Sequence, residues 1–106
     1  MIRRGKLVRD NIPEIIRSEG RSPVIHIADD GEFFTKLLDK LREEALEACL
    51  AGDDQSLKNE LIDIAEIVNA ICEFKKFDLN ELEQLMAEKA KKRGRFGKRI
   101  ILEQFV

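Results

Sequence analysis

The amino-acid sequence predicts a mainly α fold, an antiparallel helical bundle. Three observations carry that expectation. Apolar residues recur at helical spacing through two long segments, only a few residues separate these segments, and no internal repeat or low-complexity stretch supports a large sheet. The 106 residues contain no Pro/Gly/Ser-rich linker and no abrupt change of composition, so residues 1–106 read as one domain. A domain of this size buries only about two-thirds of the surface its unfolded chain exposes, so oligomerisation would supplement its core.

Residues 9–18 read as a short helix, with Asp10 or Asn11 as its cap, Pro13 tolerated in the first turn and Gly20 placed to end it. Residues 23–28 (PVIHIA) are short and β-branched, which suits a strand, and Asp29-Asp30-Gly31 then forms a turn and helix cap. From Glu32 to Ala51 the residues Phe33, Phe34, Leu37, Leu38, Leu41, Ala45, Ala48 and Cys49 fall at helical spacing, and Gly52 closes the helix. A further helix runs from about Asp54 to Phe74 on Leu61, Ile64, Ala65, Ile67, Val68, Ile71 and Cys72. The short break between the two favours an antiparallel hairpin. Asp78 caps the next helix, whose narrower stripe of Leu79, Leu82, Leu85, Met86 and Ala90 ends before Gly94 and Gly97. Residues 98–106 read as a terminal strand, which could pair with the first as a small two-stranded β element.

The net charge of −2 conceals 19 basic and 21 acidic residues. Lys89 to Arg99 holds seven Lys or Arg and no acid, whereas Glu43 to Asp63 is acidic. Cys49 and Cys72 fall among apolar residues and read as buried free thiols of a reducing compartment. No apolar run approaches the ~18 residues of a membrane span, and Met1-Ile2-Arg3-Arg4 has no hydrophobic region behind it. A cytoplasmic protein without a membrane partner is expected.

The chemistry lies in acids that interrupt apolar helix faces. At ~100° per residue, Glu44 falls inside the apolar arc of its helix, between Phe33 and Leu37, with Glu47 at the edge. Glu60 falls between Ile67 and Ile71 on the next helix, with Asp63 at the edge. Acids three apart repel, and a carboxylate turned toward a core is desolvated, so the four call for a cation. Antiparallel packing brings Glu44 and Glu47 opposite Glu60 and Asp63, as in carboxylate-metal bundles. Oxygen-only ligation suits Mg²⁺ or Mn²⁺, and the preference of Mg²⁺ for phosphate oxygens points to a polyphosphate substrate. Glu43 lies about 100° round from Glu44 and is given a minor role at the rim.

The run EALE (44–47), twelve residues, then ELID (60–63) resembles the ExxE and ExxD signature of the all-α nucleoside triphosphate pyrophosphohydrolases, the MazG-like superfamily. KLVRDNIPEII (6–16) and KKRGRFGKRIIL (91–102) are similar to flanking motifs of a small MazG-related, phosphoribosyl-ATP pyrophosphohydrolase-like branch. Arg95 stands where that pattern usually has a second Gly, and Asn11 where it commonly has a basic residue. The resemblance implies Mg²⁺-dependent hydrolysis between the α and β phosphates, releasing nucleoside monophosphate and pyrophosphate. It implies Glu44, Glu47, Glu60 and Asp63 as the metal-binding catalytic acids, and a helical bundle commonly completed by a second subunit, as a homodimer or homotetramer.

The substrate's remaining charge requires cations, and Lys89, Lys92 and Arg93 offer them at a helix end, with Lys6 and Arg9 as further candidates. Cations at a helix C-terminus commonly serve only to complement its dipole, and the resemblance is what raises Lys92 and Arg93 above that. A carboxylate, Glu44 or Glu47 before Glu43, would accept the proton of the attacking water. His26 is the single histidine, which excludes a His-rich metal site and a two-histidine arrangement. No GxxxxGK[ST] phosphate loop occurs. Two alternatives remain: hydrolysis of phosphoribosyl-ATP by the same chemistry, and a non-enzymatic helical module holding nucleic acid through its basic C-terminal segment. The second leaves glutamates on apolar helix arcs without a purpose.

Overall fold

In the computed structural model, residues 5–106 are described; Met1 to Arg4, read above as having no hydrophobic region behind them, lie outside the described residues. The helices are α1 (Ile12–Ser18), α2 (Asp30–Leu50), α3 (Asp54–Lys75) and α4 (Leu79–Arg93). The fold is mainly α, as the periodicity predicts, and no strand occurs among the described residues. The contacts group the chain into two compact units, Met1–Lys75 and Lys76–Val106.

Both strand expectations are corrected. Residues 23–28 and 98–106 have strand-like composition but lie in no ladder. Val24, Ile25 and Ile27 stay exposed, as do Ile100, Ile101 and Leu102. A β-branched run becomes a strand only where a neighbour takes its backbone hydrogen bonds, and that neighbour is not a local property.

In the first unit α2 and α3 pack together. Their direction follows from the side chains that meet. Phe33 and Phe34, at the start of α2, contact Phe74 at the end of α3, edge-on at 5.4 Å and stacked at 5.7 Å respectively. The hairpin is therefore antiparallel, closed by Ala51–Asp53. Lys75 lies 4.2 Å over the Phe34 ring, a cation–π contact that covers this end. Leu37, Ile67 and Cys72 form the buried apolar core, and the other apolar positions of the hairpin are covered only in part.

Caps fix where the helices begin. Asp29 accepts from the Glu32 N–H at 2.8 Å and Asp53 from the Ser56 N–H at 2.7 Å, satisfying donors that the first turns leave open. The Ser56 hydrogen bonds hold the Asp53 carboxyl below its ordinary range. Asn11 occupies the cap position of α1 but makes no side-chain cap bond, while Pro13 sits in the first turn as expected. Gly52 is not the residue that closes α2. Ala51 takes the extended conformation there, and Gly52 follows before the bend at Asp53.

Of the two cysteines, Cys72 is buried but Cys49 is exposed, which corrects the expectation of two buried thiols. Cys49 lies at the loop end of α2, one residue before its last. In the second unit, Asp78 caps α4 by accepting from the Asn80 N–H, and Gly94 ends it with φ +81°, a left-handed conformation that costs glycine little. Leu79, Leu85 and Met86 on α4 are exposed, and α4 has no buried residue.

Candidate metal centre

The hairpin positions the acids from two sides. Glu44 is buried, with 6 % of its surface exposed, on the face of α2 turned to α3. Opposite it stand Glu60 and Asp63, both half-buried on α3. Ligand oxygens of Glu44, Glu60 and Asp63 lie within 4.8 Å of one another, and a second such group joins Glu44 to Glu43 and Glu47 on α2. Glu44 belongs to both. The helical-wheel placement of Glu44 inside the apolar arc and of Glu47 at its exposed edge thus matches the folded chain.

Two carboxylate oxygens at this centre have no partner of their own. Oε2 of Glu44 and Oε2 of Glu60 are enclosed and make no hydrogen bond. Two ionised groups in that relation repel, and each has lost its water. The Glu60 carboxyl responds by titrating at about 7 instead of 4.5, because a proton on it bonds to Glu44, with burial and the nearby Glu47 adding to the effect. A proton is one way to reconcile these oxygens, and a divalent cation is another. The donor set is all oxygen and all carboxylate, which fits Mg²⁺ or Mn²⁺.

Cationic side chains approach the cluster. Arg9 donates to Asp63 at 2.7 Å, Lys6 to Glu43 at 3.3 Å, and Lys40, one turn before Glu44, stands 3.7 Å from it. Lys6 and Arg9 are predicted above as partners of substrate phosphates; here they hold the acids. Lys36 donates to the Gly5 carbonyl at 2.9 Å, so the segment before α1 is tied to α2 as well as α3. Lys89, Lys92 and Arg93 stand on the last turns of α4, in the second unit.

Glu43 is nearer the centre than its direction on the helix suggests. It precedes Glu47 by four residues, the spacing that stacks side chains on one helix face, and that relation was the available signal. Lys40 bears the same relation to Glu44. The ion pairs of Lys6 and Arg9 cross 37 and 54 residues of chain and have no local signature.

Phe33 and Phe34 pack on Phe74. His26 lies in the irregular segment before α2, where its Nε2 is 2.9 and 3.0 Å from the two oxygens of Glu32. Both residues line a cavity of about 380 Å³ in the first unit, between the 5–10 and 24–28 segments and the start of α2.

Comparison with known proteins adds one partial likeness. The chain is 52 % identical over 42 residues to an uncharacterized protein of Mycolicibacterium smegmatis. The match takes in 40 % of this chain and 43 % of that protein, so it spans less than half of either. No family model matches the chain. No solved structure matches it.

Proposed function

We propose that this protein is a nucleotide pyrophosphohydrolase that uses Mg²⁺ to cleave a nucleoside triphosphate, ordinary or noncanonical, into nucleoside monophosphate and pyrophosphate. The observation that carries the reading is the meeting of Glu44, Glu60 and Asp63 across two helices, with enclosed oxygens of Glu44 and Glu60 left unpartnered. Surface acids that merely decorate charged helices keep their water; these two oxygens do not. The motif likeness set out from the sequence points to the same reaction, and phosphoribosyl-ATP would call on the same acids.

Glu44, Glu60 and Asp63 would hold one ion, and Glu47 with Glu43 would complete the site or hold another. When bound, Mg²⁺ supplies positive charge to the phosphate oxygens and acidity to the attacking water. Glu47, the exposed member, is the acid best placed to accept that water's proton. Lys6 and Arg9 reach the acids on long, partly exposed side chains and can turn from carboxylate to phosphate once cations neutralise the cluster. Lys89, Lys92 and Arg93 are the further candidates for substrate charge.

The same reading includes assembly. On α2 and α3 alone, Leu46, Leu50, Leu61, Ile62 and Val68 are exposed, a quantity of apolar surface that a homodimer or homotetramer would cover. No helix among the described residues is long and apolar enough to cross a membrane. Two free thiols suit a reducing compartment, and we place the protein in the cytoplasm on that ground.

The test is release of pyrophosphate from a panel of ordinary, damaged and phosphoribosylated nucleotides, with and without Mg²⁺. Release that requires Mg²⁺ and disappears in Glu60→Gln is expected. Absence of release across the panel, with wild type and variant indistinguishable in Mg²⁺ binding, would sink the proposal.

A further inference from the structure

We infer that the cavity between the 5–10 segment, the 24–28 segment and the start of α2 is a nucleobase subsite, serving the nucleotide whose phosphates lie at the acidic centre. The inference rests on the reading of that centre as a phosphate-metal site. What identifies the occupant is continuity. Lys6 and Arg9 line the cavity, and the same two side chains touch Glu43 and Asp63. The cavity and the carboxylates are therefore separated by little more than the reach of one long side chain, and the groups between them are cationic.

The cavity's size and lining fit a planar heterocycle. Its 380 Å³ falls within the ~300–1,000 Å³ of small-molecule sites. Val8, Ile25 and Phe33 give it apolar walls, suited to the faces of a ring. Polar groups stand among them: the His26–Glu32 pair, Asp10 and Lys36. Nε2 of His26 is committed to the Glu32 carboxylate, which leaves Nδ1 as the ring nitrogen that can meet the edge of a base. A site with apolar walls, hydrogen-bonding groups among them, and Lys6 and Arg9 leading toward the phosphates has the chemical order of a nucleotide: base, then phosphate.

The deciding experiment compares ligands with and without a base. The full chain is titrated in Mg²⁺ with a nucleoside triphosphate carrying a methylene bridge between the α and β phosphorus, and separately with inorganic tripolyphosphate. Wild type should bind the nucleotide analogue at least about tenfold more tightly. Ala28→Trp and Val8→Trp, which fill the cavity from different walls, should remove that advantage while helicity by circular dichroism and tripolyphosphate affinity stay unchanged. Equal affinities in wild type would overturn the inference without recourse to any variant. So would an undiminished advantage in either folded variant. Failure of hydrolysis with the base preference intact removes the hydrolase reading and supports the subsite; hydrolysis with no preference for nucleotide over bare polyphosphate overturns the subsite alone.

Discussion

Glu60 concentrates the electrostatic conflict of the acidic centre, and its titration gives a prediction with a definite sign. Its carboxyl titrates at about 7 in the folded chain and near 4.5 otherwise, chiefly because its proton bonds to Glu44. The folded state thus holds a proton that the unfolded state has released between those pH values, so stability falls as pH rises. Metal-free protein should be most heat-stable below pH 4.5, as far as this group is concerned, and lose that contribution as pH rises through 7. Glu60→Gln should flatten the profile in thermal melts with chelator present, and a steep profile retained in the variant would contradict the assignment. Because a ligand carboxylate must be ionised, Mg²⁺ affinity should weaken as pH falls below about 7. Arg9 adds a second prediction: bonded to Asp63, it would compete with a cation there. Arg9→Gln should raise Mg²⁺ affinity a few-fold in calorimetry yet raise the KM for nucleotide, whereas Asp63→Asn should lose at least the ~10–100-fold in metal affinity that even an outer-shell change costs. The position of Glu44 was legible in the sequence because a helix fixes side-chain direction locally. The grip of Lys6 and Arg9 was not, since it depends on where a distant segment lies.

At the scale of elements, legibility followed the range of the interaction that makes each one. Helices α2, α3 and α4 were readable because their periodicity, caps and short connections are all encoded within a few residues of themselves. The PVIHIA and C-terminal segments were misread as strands because only their own half of a pairing was visible. The loop end of α2 shows the same limit on a smaller scale: Ala51 leaves the helix one residue before the glycine, and Cys49 escapes cover although its spacing is core-like. The caps are open to measurement. Asp29 satisfies the Glu32 N–H at the start of α2, so Asp29→Ala should cost about 1 kcal/mol in urea denaturation, the usual loss for such a cap. Leu37→Ala, which opens a cavity at the most deeply buried apolar position of the hairpin, should cost about 2–5 kcal/mol. The acidic cluster depends on α2 and α3 staying in register, so Leu37→Ala should also weaken Mg²⁺ binding, whereas Asp29→Ala, fifteen residues along the helix from Glu44, should leave it unchanged.

For the whole molecule, the burial pattern bears on assembly more than on the protomer alone. Only Leu37, Ile67 and Cys72 are buried apolar residues among those described, while Leu46, Leu50, Leu61, Ile62 and Val68 on the same hairpin face outward. Two helices that bury one seam and leave further apolar side chains exposed meet the requirement for a bundle once another hairpin is laid against them. Burying an exposed leucine contributes about 1.5–3 kcal/mol, so a few such residues per protomer outweigh much of the entropy lost on association. The expected outcome is a dimer or tetramer by sedimentation at micromolar concentration, with a melting temperature that rises with protein concentration. Leu46→Glu replaces an exposed apolar side chain of α2 with a charge without removing any acid of the cluster, and Val68→Glu does the same on α3. Both should shift the sedimentation profile toward protomer and abolish the concentration dependence of the melt. Should both remain fully assembled, the association would have to use surface elsewhere.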